Sequence, residues 1–370
     1  MRRVAEAWML MMALLPVTFA AASEEPKWHQ VDGPPELSFP RDHGAHFEYR
    51  TEWWYVTGLL TDEQQRRYGF QITFFRQGLE PGGPKAGESG LRARQIVAAH
   101  LAIADISGQR FFHVERLRRV GGGLAGASQT DLEVWLDDWR MVRGDDGVIV
   151  ISARDPEQDI GLDLELRPQR ELVRHGNRGY SRKGEAIGNA SAYLSWTRLA
   201  VEGELLLADG RRAVSGAAWF DHEWGTSQLG GGVVGWDWFS LRLDDGRDLM
   251  LYRLRRSDGG ADPYSSGTVI GGAGAVSTLA RDDAAIDVLE RWTSPTTGAR
   301  YPIRWRLRVP AHDVDLEVHA LLADAELDGS ATTGVIYWEG PVEASGSQNG
   351  EGYVEMTGYA GSLLSLIHIS

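Results

Sequence analysis

Cysteine is absent from all 370 residues, so disulfides, thiolate metal sites and lipid-modified cysteines are excluded and the fold is held by packing alone. Basic charge is scarce, with 38 Lys and Arg against 52 Asp and Glu, a net of −14 with His neutral. A general basic field for nucleic acid or an anionic membrane is thereby excluded. Long apolar runs are missing too. The stretch 7–20 carries Trp8, Leu10, Leu14 and Leu15, but it is short and interrupted by Pro16, which argues against a membrane span. No Gly-x-Ser-x-Gly elbow occurs, and Ser195, Ser215, Ser227 and Ser240 stand in no context that marks a nucleophile. Long helical periodicity is also scarce.

The two ends differ from the rest of the chain. Arg2 and Arg3, the apolar stretch and the small residues Ala20, Ala21 and Ala22 have the layout of an export signal, with cleavage expected near Ala22. The mature protein is then expected in the periplasm or outside the cell. At the other end, residues 364–370 (LSLIHIS) are what a common sequencing-library adapter encodes in frame, so His368 takes no functional weight.

What is abundant is apolar bulk and turn chemistry: 42% hydrophobic residues, 14 Trp and 45 Gly. That is enough for a substantial core in one large or two medium domains. Residues 162–167 (LDLELR) and 314–318 (VDLEV) alternate with period two, the mark of half-buried strands. Asp-Gly pairs at 146–147, 209–210, 245–246 and 258–259 are hairpin turns. The fold class is all-β. A weak internal echo adds to this: Trp53, Trp54 and Tyr55, a polar turn and a strand ending in Arg76 resemble Trp236, Trp238, a turn and a strand ending in Arg253. The echo suggests two related β-domains in tandem, 23–200 and 201–363, after a signal at 1–22.

The stretch 218–225, AWFDHEWG, sets three ionisable side chains in a row. On a strand, alternation puts Phe220, His222 and Trp224 on one face and Trp219, Asp221 and Glu223 on the other, so the three cannot converge on one ligand. A metal site is not expected, because the run 222–226 (HEWGT) lacks the second His of the HExxH signature, although His43 and His46 offer ligands from elsewhere. His222 beside an indole suits a lumen holding an apolar substrate; it equally suits a hydrogen-bonded core histidine, with Asp221 a structural carboxylate.

The stretches 42–55 (DHGAHFEYRTEWWY), 218–228 (AWFDHEWGTSQ) and 235–241 (GWDWFSL) resemble the AttH-type, carotenoid 1,2-hydratase-like proteins, a group often labelled predicted secreted hydrolases. The resemblance covers about 40–363. It implies two lipocalin-like (calycin) β-barrel-type domains and a small hydrophobic ligand, isoprenoid or lipid-like, with no cofactor. It implies hydration of an isoprenoid double bond, with His222 and Trp224 matching the family's His-x-Trp. That chemistry requires a desolvated carboxylic acid to protonate carbon, an aromatic face for the cation, and a water. The hydratases carry Tyr-x-Asp on a neighbouring strand; here Tyr252 is followed by Arg253 and Leu254, so the acid falls to Asp221 or Asp237. Trp53, Trp54, Trp219, Trp236 and Trp238 are the expected ligand-binding surface. The alternatives are a non-catalytic carrier or chaperone serving an export system, and a purely structural β-protein.

Overall fold

The computed structural model describes residues 27–82, 93–227 and 229–361. The expected export signal at 1–22 and the adapter-like tail at 364–370 lie outside the described residues. No described helix is long and apolar enough to cross a membrane.

Among the described residues the chain forms two antiparallel sheets. The first holds β1 (Thr51–Asp62), β2 (Arg67–Gly78), β3 (Gln95–Asp105), β4 (Arg110–Arg119), β5 (Ala125–Ala127), β6 (Glu133–Leu136), β7 (Trp139–Arg143), β8 (Ile149–Asp155), β9 (Ile160–Pro168), β10 (Val173–Arg174), β11 (Tyr180–Arg182), β12 (Ala190–Leu207) and β13 (Gly210–Gly225). The second holds β14 (Val233–Leu243), β15 (Asp248–Arg256), β16 (Ser266–Ile270), β17 (Val276–Ala280), β18 (Ala285–Thr293), β19 (Arg300–Val309), β20 (Val314–Ala320), β21 (Glu326–Gly329), β22 (Val335–Gly346) and β23 (Gly350–Thr357).

Each sheet is a meander whose first strand pairs with its last, β1 with β13 and β14 with β23. The first sheet curls until β3 and β4 lie against β5 and β6, giving a near-closed barrel. The alternating stretches behave as expected: Leu162, Leu164 and Leu166 are buried in β9, as are Val314, Leu316 and Val318 in β20. All four Asp-Gly glycines have positive φ, the conformation that such turns need. The sequence echo falls on the β1–β2 and β14–β15 hairpins, which open the two sheets in the same way.

One expectation is corrected. The boundary suggested at 200/201 would divide β12 and strand β13 from their sheet, yet β13 pairs along its length with β1. The first sheet ends with β13 at Gly225 and the second begins with β14 at Val233, because β1 needs β13 to close the first barrel.

The barrels meet through their outer faces. A mixed aromatic cluster joins Tyr55, Leu59, Tyr193 and Trp219 of the first sheet to Trp238, Tyr252, Leu254 and Tyr353 of the second. At one edge of this seam the fully buried Asp248 carboxylate accepts hydrogen bonds from Thr197 Oγ1 (2.7 Å), Arg198 Nε (2.8 Å) and Arg170 Nη1 (2.8 Å), tying the second barrel to the first.

Candidate active site

Strand β13 presents two chemistries on two faces. On the inner face, Phe220 enters the first barrel's core and His222 lies near its mouth. The His222 ring is 1% exposed, stacked on Trp54 at 5.1 Å and tilted against Trp224 at 4.7 Å. Its Nε2 meets Glu52 Oε1 at 2.9 Å. The same oxygen meets His46 Nδ1 at 2.8 Å, while Glu52 Oε2 accepts from Arg76 Nε (2.8 Å) and the His46 backbone N–H (2.9 Å). Burial would raise the Glu52 carboxyl, but Arg76 and His46 hold it well below the usual range. Burial likewise pulls His46 down, and Glu52 and Asp42 outweigh it, leaving the ring at about 9. His222 is lowered by burial, with Glu52 opposing.

Among the described residues, His46, Glu52 and His222 are the trio whose ligand atoms lie within 4.8 Å of one another. Both Glu52 oxygens are already engaged, and the Arg76 guanidinium against one of them opposes a second cation there. The trio acts as a buried ion cluster that ties β1, β2 and β13 to residues 42–46.

The outer face of β13 looks into the seam. Asp221 Oδ1 accepts from Trp219 Nε1 (2.6 Å) and from the Ser195 hydroxyl, and Oδ2 accepts from the Tyr193 hydroxyl (2.6 Å). Trp238 Nε1 donates to the Tyr193 oxygen at 3.0 Å, and His175 is hydrogen-bonded to Ser195 Oγ (2.7 Å) and Thr268 Oγ1 (2.8 Å). Burial raises the Asp221 carboxyl to about 6, held back by those three donors and by the charge of Lys183. Lys183, pushed down to about 7 by burial with Asp221 opposing, contacts Glu223 and Ser191 and lies over the Tyr193 and Tyr252 rings.

Two rows of side chains face each other here. Across the first sheet, register aligns Ser195, Asp221, Tyr55, Thr73 and His100. Across the second it aligns Tyr252, Trp238, Glu355 and Glu339. Tyr55 donates its hydroxyl to Glu339, and its ring meets that of Trp238 edge-on at 5.3 Å.

The residues singled out in the sequence therefore divide into three places. His222, Trp224 and Trp54 lie on the inner side of the first sheet, where the rings pack against one another. Asp221, Tyr252, Trp219 and Trp238 are buried in the seam, and Trp53 and Trp236 pack half-buried against it. Asp237 is in neither, because alternation points it away from Trp236 and Trp238; its Oδ1 accepts from Arg255 Nε (2.9 Å) and the Tyr359 hydroxyl (3.0 Å). The His-x-Trp and Tyr-x-Leu halves of the expected hydratase motif thus lie on opposite sides of the first sheet. Leu254, two residues after Tyr252, packs in the seam cluster, so a carboxyl at that position would belong to the seam.

Sequence reasoning missed Glu339, Glu355, Lys183, Tyr55 and Tyr193. A signal was present: Glu339 follows Tyr337 and Trp338, and Glu355 follows Tyr353 and Val354, which sets a carboxyl among apolar and aromatic residues as in AWFDHEWG.

Comparison with known proteins agrees with this architecture. The AttH-like family model matches residues 30–359. The AttH protein of Nitrosomonas europaea is 33% identical, with a TM-score of 0.81 over 90% of this chain and 99% of that one. Kievitone hydratase of Nectria haematococca shares the fold at 14% identity, with a TM-score of 0.68 over 91% of this chain and 98% of that one. The dehydratase AsqC of Emericella nidulans is 28% identical over 132 residues, a match spanning 33% of this chain and 35% of that protein. With a two-barrel architecture and a family match over residues 30–359, the chain belongs to the AttH-like family.

Proposed function

We propose that this protein is an exported hydratase or dehydratase that binds an uncharged hydrophobic ligand, isoprenoid or lipid-like, in the seam between its barrels and adds water to, or removes it from, a carbon–carbon double bond. The observation that carries this reading is Asp221: a buried carboxyl, raised to about 6, that accepts from the Trp219 indole and is linked through the Tyr193 hydroxyl to the Trp238 indole. Adding water across an alkene requires a proton delivered to one carbon and a proton removed from the water that attacks the other. Three hydrogen bonds favour ionised Asp221, which suits it to take the proton from water. The indole faces suit the intervening cation, an interaction of about 1–2 kcal/mol at a desolvated site. The dehydratase and hydratase among its relatives and fold neighbours support the same reaction class. The layout of residues 1–22 supports export.

The test is a panel of neutral isoprenoid and lipid alkenes incubated with the protein in heavy-oxygen water. Labelled alcohol is expected from the wild type. In Asp221→Asn turnover falls by about 10²–10⁴-fold, while ligand affinity, read by tryptophan quenching, stays within about tenfold. Quenching without label makes the protein a carrier. Neither quenching nor label overturns both readings.

A further inference from the structure

The three donors on Asp221 suit a base and leave the proton donor unassigned. Across the seam, Glu339 on β22 and Glu355 on β23 are directly paired in the ladder. Two like charges so placed repel strongly, and burial at a barrel interface strengthens the repulsion. Among the described residues neither forms an ion pair with a cation: Glu339 accepts from the Tyr55 hydroxyl, and the Trp236 side chain opposes the rise that burial causes at Glu355. Glu339 is 1% exposed, whereas Glu355 is half-buried and is the ladder partner of Trp238.

A separate observation points to a ligand. Gln71, 1% exposed on the seam face of β2, lies close enough to the Tyr337 hydroxyl to bear on it, yet neither its amide nitrogen nor its oxygen makes a hydrogen bond of good geometry among the described residues. The hydroxyl of its ladder neighbour Thr57 is unpartnered as well. A buried amide without a well-formed hydrogen bond at either end has the capacity to bind a group that can donate and accept.

We propose that the directly opposed, buried Glu339–Glu355 pair keeps its half-buried member Glu355 protonated up to neutrality, and that Glu355 delivers its own proton to an uncharged alkene carrying a hydroxyl or carbonyl that Gln71 binds. The assignment rests on the hydration reading above. In the step, the Glu355 O–H bond breaks as the alkene π pair forms the new C–H bond. Water then bonds to the cationic carbon and gives its proton to Asp221. The product is the alcohol, and a proton returns from Asp221 to Glu355 through Tyr55, which donates to Glu339, or through solvent. Glu339 stands behind Glu355 and makes ionisation of both unfavourable; two carboxyl environments pushed apart in this way divide acid from base. The groups that face Glu355 are Glu339 and Tyr337 on β22, Asp221 on β13, Tyr55 on β1 and Trp236 on β14.

Infrared titration of the full chain tests the pair without any ligand. A carboxylic-acid carbonyl band is expected to persist at pH 7 and to disappear in two steps, the first near neutrality and the second at higher pH, and either Glu355→Gln or Glu339→Gln is expected to collapse the pair to a single step. A wild type with no protonated carboxyl at pH 7 overturns the proposal without reference to any variant's folding. Turnover of the alkene panel is expected to be bell-shaped in pH, lost below about 6 as Asp221 protonates and above about 7 as Glu355 ionises. Geraniol is expected to quench the tryptophans at least tenfold more tightly than geranic acid at pH 8; equal affinity overturns the ligand class. Turnover lost in Asp221→Asn but intact in Glu355→Gln overturns this assignment and leaves the hydration reading standing. A wild type that hydrates nothing in the panel overturns the hydration reading and the delivery step together, while the two infrared steps still decide whether the pair holds its proton.

Discussion

Glu52 organises the mouth of the first barrel. It is fully buried, its two oxygens receive Arg76, His222, the His46 ring and the His46 backbone, and no water is needed to satisfy it. Taking its charge away leaves the Arg76 guanidinium, 1% exposed, with a neutral partner. Breaking one side of a buried ion pair costs about 3–5 kcal/mol. Glu52→Gln is therefore expected to lower unfolding stability by roughly that amount, read by urea denaturation, and an unchanged midpoint would show that the cluster is not a buried ion pair in solution. Asp221 and His222 differ from Glu52 in how much of them was legible in the sequence. The period-two rule separated the two onto opposite faces, and the structure agrees. The rule does not say which face is a barrel interior and which is a seam between barrels, because alternation carries no information about what packs on either side. Glu339 and Glu355 were harder still. Each alone reads as one carboxyl on a strand, and only the ladder that places them opposite each other makes them a pair.

At the scale of strands, β12 shows how local residues bend a sheet into a barrel. It runs for 18 residues and pairs with β13 along nearly its whole length, with a register shift between Trp196 and Leu199, while its other edge meets β10 and β11 in the first half and β9 in the second. Gly203 in the second half has φ +153°, and a Cβ added there would lie 2.1 Å from the Asp163 carbonyl oxygen. Gly203→Ala must therefore part β9 from β12, at a cost on the order of 2–4 kcal/mol. Gly33→Ala, where nothing lies within 4 Å, serves as the control. The comparison is made by thermal or urea unfolding, and equal loss in both variants would contradict the close approach. Strand content and hairpins were legible at this scale, since alternation and Asp-Gly turns are local signals. The end of the first sheet was not. The pairing of β1 with β13 spans nearly the whole first barrel, and nothing in the residues near 200 marks the closure.

At the scale of the whole molecule, the seam has to hold two barrels in register for Asp221 to face Glu355. Asp248 ties them directly, with two arginines and a threonine on one buried carboxylate. Arg170 and Arg198 keep some access to solvent, so each bond is worth about 1.5–3 kcal/mol at most. Asp248→Ala is expected to weaken the coupling of the barrels, separating one calorimetric transition into two and loosening ligand binding in the seam while each barrel stays folded. A single sharp transition at the wild-type temperature would place the coupling elsewhere.

The sequence by itself determined the all-β class, the paired hairpins of the two halves, the opposed faces of residues 218–225 and the family, because strand period, turn glycines and long aromatic motifs are written locally. Only the tertiary structure decided where one barrel ends, that the seam and not the lumen gathers the protonatable carboxyls, and that Glu339 stands opposite Glu355. Those facts depend on which distant strands hydrogen-bond and which outer faces dock. Such contacts join residues hundreds of positions apart, as Tyr55 does with Glu339, and local sequence carries no record of them.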